Sequence, residues 1–179
     1  MFSFFRKKEK EPVNKDLVFI TARAKQNAVL DYMTSHPDAL LLVWFEESYE
    51  EAVQLMPAME ARIAMTRTIS GSRLQNQTVI FYEHHPLVAK EKEWLEENHI
   101  KEAVFYSSLD EPLFLYAGGA NIASLMQRMG MQEEEAISHS LISKSIDGAR
   151  KKIADKILSE STARSQKEWF ERNVPEHKS

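Results

Sequence analysis

Residues 39–45 read ALLLVWF, the longest uninterrupted apolar run in the chain. A short run of this composition is typical of a β-strand that is covered on both faces, as in a parallel sheet. It is far shorter than the ~20 apolar residues that a helix needs to span a bilayer. The run therefore predicts a buried strand, in a protein that is soluble or peripheral to a membrane.

Segments with similar β-rich composition recur on both sides of this run and alternate with helical patterns. The predicted strands are Leu17–Ala22, Leu40–Phe45, Ala61–Thr66, Thr78–Glu83 and Ala103–Ser108. The predicted helices between them are Ala24–Ser35, one that begins at the N-cap Ser48 with Glu51 closing a capping box, and Leu87–Asn98. This alternation predicts an α/β fold, a parallel sheet with helices on both faces.

After Leu109 the strand patterns stop and only helical patterns remain. The predicted helices are Glu111–Ala117, Ala120–Met129, a long one from Glu133 to Leu158, and a last one carrying Trp169 and Phe170. Ile142, Ile146 and Ile153 lie on one stripe of the long helix, with the acidic residues 133–135 as its first turn. The chain therefore divides into an α/β domain at 16–109 and a helical extension at 110–179.

The charge balance and the cysteine count exclude several kinds of protein. The chain has 23 basic and 27 acidic residues, a net charge of −4, which disfavours nucleic-acid binding. It has no cysteine, which excludes disulfides, iron–sulfur clusters, cysteine-ligated zinc and thiol nucleophiles. This composition is compatible with the cytoplasm.

The first fifteen residues predict a flexible arm with a local aromatic and basic character. Phe2, Phe4 and Phe5 are followed by Arg6, Lys7 and Lys8, an order opposite to that of a signal peptide. Aromatic rings backed by cations predict weak, reversible contact with a membrane surface. The alternative is a plain disordered arm, and the two are compatible.

The stretch Leu125–Ile153 reads LMQRMGMQEEEAISHSLISKSIDGARKKI. It resembles the segment after the second motor domain of the SecA family of preprotein translocase ATPases, whose pattern contains L-M-x-R-L-G-M, an acidic run and I-x-H-x-M-V-S-K-A-I-E-G-A-Q. Gly130-Met131, His139, Ser143-Lys144 and Gly148-Ala149 match it. The stretch from Phe105 to Glu111 is similar to R-F-Y-L-S-L-E-D-D, and Lys25 and Ala28 are similar to an earlier K-x-x-A.

This resemblance implies a RecA-like, three-layer parallel sheet of about five strands, of the helicase C-terminal type, with a C-terminal helical extension. The departures from the family concern the ATP site. The 179 residues contain no G-x-x-x-x-G-K-[ST]. Only Ser70–Arg73 is a candidate for the family's G-R-G-T-D, and Leu87–Lys101, where an arginine-rich motif belongs, holds no arginine. The sequence therefore favours a non-enzymatic role without a cofactor.

Few side chains qualify as a site. Glu83-His84-His85 suggests a metal ligand set, but adjacent side chains diverge and nothing nearby in sequence completes the set, so a polar turn is preferred and no metal is predicted. His139 is interpreted as a capping or packing residue. The arginines at 62, 67 and 73 are interpreted as a solvated edge rather than a phosphate contact. The predicted partner-binding residues are Met126, Met129, Met131, Trp169 and Phe170.

Three functions remain open from the sequence. The first is a non-catalytic SecA-like binding module on the cytoplasmic face of the membrane, linked to protein export, with a translocon or motor component as its partner. The second is an in-trans partner of a P-loop ATPase or helicase, in which Arg67 or Arg73 replaces the missing arginines. The third is a small enzyme that uses the crevice at the carboxyl ends of the strands.

Overall fold

A five-stranded parallel sheet forms the centre of the protein. The computed structural model describes residues 13–138 and 140–174. The strands are β1 (Val13–Phe19), β2 (Ala39–Val43), β3 (Ile63–Met65), β4 (Thr78–Phe81) and β5 (Glu102–Ser108). Their spatial order is β1-β5-β4-β2-β3, with every pair parallel. This arrangement confirms the predicted α/β class and is consistent with a RecA-like fold.

The apolar run that predicted the buried strand forms β2 and its exit. Leu41 pairs with Ile63 of β3 on one side and with Ile80 of β4 on the other. All five residues of β2 are buried. A strand inside a parallel sheet meets helices on both faces, which explains why its apolar residues do not alternate with polar ones.

The helices of the α/β part cover opposite faces of the sheet. They are α1 (Ala22–Ser35), α2 (Glu46–Leu55), α3 (Gly71–Leu74) and α4 (Val88–Glu97), with a 3₁₀-helix at Pro57–Arg62. One core contains Val29 and Met33 of α1 with Ala52 of α2. The other contains Leu74 of α3 and Leu95 of α4. The two layers bury both sides of the sheet.

The extension consists of four helices, α5 (Pro112–Tyr116), α6 (Gly119–Arg128), α7 (Ser140–Ala154) and α8 (Gln166–Asn173). They share a third core with residues at the carboxyl ends of strands, among them Val18 and Phe45. Val18 and Ile137 also exchange two backbone hydrogen bonds, of 3.1 and 2.7 Å. The extension is thus packed on the sheet and also tied to the edge strand β1.

The long helix and the first strand have bounds that differ from the prediction. The long helix begins at Ser140 rather than Glu133, because Ile137 is held in an extended bridge by Val18 and cannot be helical. Residues 133–135 are therefore not its first turn. The stripe of Ile142, Ile146 and Ile153 is nevertheless buried, as expected. The first strand spans Val13–Phe19 rather than Leu17–Ala22, because Thr21 caps α1 by accepting a hydrogen bond from Ala24 N.

The predicted capping box at Ser48 is wrong. Helix α2 begins at Glu46 after Phe45, and no side chain caps it. Ser48 lies inside the first turn and donates its hydroxyl to Glu83 at 2.8 Å. Ser48 is therefore bonded to a carboxylate that follows β4, and not to a backbone amide of its own helix.

Within the described ranges, no helix combines the length and apolar character needed to cross a membrane.

Candidate functional site

The carboxyl edge of the sheet is where a ligand site is expected. The chain leaves β2 towards α2 on one face and leaves β4 towards α4 on the other. Neighbouring strands that diverge in this way open a crevice between their carboxyl ends, the usual ligand position in parallel α/β sheets. A crevice of about 340 Å³ lies here, lined by residues that follow β2, β3 and β4, including Trp44, Thr66 and His85.

A buried lysine holds the start of α1 to the end of the sheet. Lys25 Nζ lies 2.5 Å from Glu111 Oε1 and donates to the Tyr82 carbonyl at 3.1 Å. The same ammonium lies 3.8 Å from the centre of the Tyr82 ring. Burial raises the pKa of Glu111, and Lys25 opposes that rise. This lysine, one of the positions that resemble SecA, therefore has a structural partner in the folded chain.

Glu83 is buried between β4 and α2. Its carboxylate accepts hydrogen bonds from Trp44 N at 3.3 Å and from Ser48 Oγ at 2.8 Å. Burial raises the pKa of Glu83 to about 7, although Lys25 and the two donors act in the opposite direction. A carboxyl group that titrates near neutral pH can accept or donate a proton, and here its hydrogen bonds are to a backbone amide and a serine hydroxyl.

A second buried charge cluster joins the extension to the α/β part. His84 Nδ1 lies 3.0 Å from Glu91 and its Nε2 lies 3.2 Å from Asp16. Arg150 of α7 contacts Glu91 at 2.6 Å and donates to the His85 carbonyl at 2.8 Å. Burial acts to lower the pKa of His84, but the carboxylates outweigh it and raise the pKa to about 9. The imidazolium and the guanidinium therefore share the carboxylate of Glu91.

The end of the extension closes part of the carboxyl edge. Glu160 contacts His85 Nε2 at 3.3 Å and accepts a hydrogen bond from Trp169 Nε1 at 2.7 Å, and it pairs with Lys90. Burial would raise the pKa of Glu160, but these donors lower it to about 2. Gln166 bridges Leu113 N and the His84 carbonyl, at 2.8 and 3.1 Å.

The three consecutive residues considered as metal ligands face different partners. Glu83 bonds to Trp44 and Ser48, His84 pairs with Glu91 and Asp16, and His85 pairs with Glu160. Among the residues that the structure describes, no group of three or more acidic, histidine or cysteine side chains could hold a metal ion. Residues 83–85 thus form a polar segment after β4, and each of them contacts a different neighbour.

The structure separates the five predicted partner-binding residues into two sets. Trp169 and Phe170 are 1% and 3% exposed and pack inside the third core, where they stabilise the extension, and Trp169 also lines the crevice at the carboxyl edge. Met129 is 73% exposed near the end of α6, and Met126 and Met131 are partly buried beside it. Of the five, Met129 is the most exposed. The predicted membrane-contact residues, Phe2, Phe4, Phe5, Arg6, Lys7 and Lys8, lie outside the described residues, as does His139.

The arginines at the edge of the sheet have partners within the chain. Arg62 donates to the carbonyls of His36 and Met33, at 2.9 and 3.0 Å, and Arg73 donates to the Ala61 carbonyl. Arg67 pairs with Glu46 at 2.8 Å. These bonds agree with the interpretation of the three arginines as a solvated edge.

The comparison with known proteins concerns a short part of the chain. A 51-residue stretch, 28% of the chain, is 51% identical to the protein translocase subunit SecA of Christiangramia forsetii. Part of this chain is related to SecA. A 49-residue stretch is 47% identical to SecA of Acidithiobacillus ferrooxidans, and one of the same length is 41% identical to SecA 1 of Alkaliphilus metalliredigens, each covering 27% of the chain.

The matches cover only 5–6% of the length of these SecA proteins. No protein-family model matches the chain. The relationship therefore establishes a SecA-related segment of about 50 residues within this chain. It establishes neither an activity nor a partner.

Sequence reasoning missed most of the buried charges at the carboxyl edge. Glu91 and Arg150 sit on helices whose other charged residues face solvent, and Glu160 lies in the loop between α7 and α8, so periodicity does not distinguish them. One signal was available: Glu91 and Arg150 both fall on the apolar side of their helices, near Leu95 and Ile146. A charge on an apolar stripe indicates a buried partner of opposite charge.

Proposed function

We propose that this chain is a non-catalytic, SecA-like binding module that associates with a protein of the translocation machinery at the cytoplasmic face of the membrane. The observation that supports this most concerns the carboxyl edge of the sheet. In this chain much of that edge is occupied by internal ion pairs and covered by Glu160, Gln166 and Trp169, and a crevice of about 340 Å³ is left open. A module whose usual ligand edge is largely taken up by its own side chains acts by binding.

The candidate partner surface is the exposed apolar face of α6. Leu125 and Met129 are 54% and 73% exposed and lie one helical turn apart, with Met126 between them half-buried. Large apolar residues that remain exposed together on one helix favour protein contact. Methionine adapts its shape to a partner at low cost. The SecA relationship suggests which class of partner to test first, a translocon subunit or SecA itself.

The membrane part of the proposal depends on the amino-terminal arm. Three phenylalanines followed by three cations would give reversible attachment to anionic lipid. Replacing Arg6, Lys7 and Lys8 with glutamine should move the protein from the membrane fraction to the cytosol, whereas the α6 surface remains unchanged. An unaltered distribution would remove the arm from the proposal.

The decisive experiment is capture of the tagged full chain, at its native level, from gently solubilised membranes after crosslinking. The test variant is L125Q/M129Q, which removes apolar surface and keeps good helix formers. The matched control is L158Q, since Leu158 is also a fully exposed apolar residue but lies outside α6. We expect the wild type and L158Q to capture translocon subunits or SecA. We expect L125Q/M129Q to capture at least tenfold less of them.

Two results would overturn the proposal. The first is recovery of the wild-type chain without any component of the translocation machinery. The second is ATP hydrolysis by the purified chain at rates typical of motors, ~1 s⁻¹ or faster. Equal capture by L125Q/M129Q and L158Q would reject α6 as the surface.

A further inference from the structure

All three tryptophans of the chain line one crevice. Trp44 and Trp94 meet edge to face with ring centres 6.2 Å apart, and Trp44 meets His85 in the same way at 5.3 Å. His85 in turn lies 5.9 Å from Trp169. The rings form a continuous aromatic wall from α4 to α8, at the carboxyl edge of the sheet. Indole faces carry negative charge density and attract cations.

Two of the carboxylates around this wall are not paired with a cation in the described part of the chain. Glu160 is occupied by His85, Lys90 and Trp169, and Arg67 is paired with Glu46. Glu93 and Glu97 also line the crevice, one helical turn apart on either side of Trp94. Both are exposed, and neither has an ion pair or side-chain hydrogen bond with any residue in the described part of the chain. The crevice therefore offers two free carboxylates beside indole rings.

One tryptophan that lines the crevice also has an N–H without an acceptor. Trp94 Nε1 donates to the Thr66 carbonyl at 3.0 Å and Trp169 Nε1 donates to Glu160. Trp44 Nε1 is buried and has no hydrogen-bond partner among the described residues. A buried N–H without an acceptor is costly, so such a group commonly awaits a ligand or an ordered water. The missing partner is an acceptor such as a carbonyl oxygen.

We propose that this crevice binds a basic side chain of a peptide, arginine in the first place, together with the adjoining backbone carbonyl. The cation would lie against the indoles near Glu93 and Glu97, and the carbonyl would accept from Trp44 Nε1. A volume of about 340 Å³ is at the small end of ligand sites, which suits one side chain and its backbone. Anionic ligands are disfavoured by the same carboxylates. This inference does not depend on the α6 surface.

The location of the tryptophans makes the test direct, because intrinsic fluorescence reports only on this crevice. The full chain is titrated with acetyl-Gly-Arg-Gly-amide at low ionic strength, with calorimetry as a second measurement. The control probe is acetyl-Gly-norleucine-Gly-amide, which has a similar length and no charge. We expect a dissociation constant on the order of 1 mM for the arginine peptide, and at least about tenfold weaker binding of the norleucine peptide.

Two sets of variants locate the contact. E93Q/E97Q should weaken arginine-peptide binding about threefold to tenfold. Its matched control, E96Q/E102Q, removes two exposed carboxylates that do not line the crevice and should bind as the wild type. W44F keeps an aromatic ring but removes the unpaired N–H together with part of the indole surface, and should weaken binding about threefold or more. Circular dichroism checks that all three variants fold.

The proposal is overturned if neither method detects the arginine peptide, if both peptides bind alike, or if E93Q/E97Q and E96Q/E102Q lose the same affinity. A further variant distinguishes between two sources of the basic segment. In a full chain carrying R6Q, K7Q and K8Q, tighter binding of the probe would identify the chain's own arm as a competing occupant. Unchanged binding in that variant, with the peptide selectivity above, would assign the crevice to a separate basic peptide.

Discussion

The sheet and the helical extension are held by different kinds of contact. Both faces of the sheet are covered by apolar side chains of α1, α2, α3 and α4. The extension also has an apolar core, but its junction with the sheet contains Arg150, Gln166 and Glu160, each bonded to a residue that follows β4. Apolar packing rewards burial without fixing one geometry, whereas a buried charge requires a particular partner. The junction is therefore the part of the molecule that specifies how the extension sits.

The largest expected effect follows from removing the charge that joins the two regions. R150A leaves Glu91 and His84 buried without the guanidinium, and the loss of one member of a buried ion pair costs about 3–5 kcal/mol. Urea denaturation of R150A should show a fall of that size in the free energy of unfolding. K151A, at the exposed neighbouring position, should change it by less than ~0.5 kcal/mol.

Equal effects of R150A and K151A would contradict the distinction between the two regions. R150M sharpens the test, because methionine restores most of the lost volume and leaves the charge unpaired. If R150M is as stable as the wild type, packing rather than pairing holds α7 in place. If R150M resembles R150A, the specific pair does.

The same contrast explains what the sequence could and could not predict. The parallel sheet followed from ALLLVWF and its neighbours, because burial on both faces leaves a direct mark on composition. The stripe of Ile142, Ile146 and Ile153 was likewise readable. The pairing of Arg150 with Glu91 was only partly predictable, because their place on the apolar side of each helix indicates burial but does not identify a partner on a helix distant in sequence.

The aromatic residues of α8 show a second limit of prediction from the sequence. Trp169 and Phe170 were predicted to bind a partner, but their own chain covers them. A helix with two large rings needs a surface to cover, and sequence does not reveal whether that surface is internal. The same reason hid the crevice, since its three tryptophans come from three separate elements.

A middle-sized effect is expected from pH, through His84. Its pKa is raised from 6.5 to about 9 in the folded chain, so its contribution to stability is complete below pH 6.5 and is lost as the pH rises through 9. The groups around it are Asp16, Glu91 and Arg150. The free energy of unfolding should fall by on the order of 2 kcal/mol between pH 6.5 and 9.

The control for this prediction is H84Q, which can still hydrogen-bond to Glu91 but does not titrate. Its unfolding free energy should fall much less across the same window. Glu83, whose pKa is raised to about 7, loses its own stabilisation as the pH rises from 4.5 through 7 in both proteins, so the difference between the wild type and H84Q reports on the histidine. A wild type as flat as H84Q between pH 7 and 9 would show that the histidine is not held as an imidazolium.

The smallest effect concerns a glycine inside the SecA-like segment. Gly148 lies in the interior of α7, and a Cβ built there would meet nothing within 4 Å. Alanine is favoured over glycine in a helix, so G148A should stabilise the chain by about 0.5–1 kcal/mol. G119A should do the opposite, because its Cβ would collide with the backbone carbonyls of Leu109 and Phe114. Thermal unfolding of the two variants should thus shift in opposite directions. Destabilisation by G148A would contradict the open space that the fold leaves at position 148.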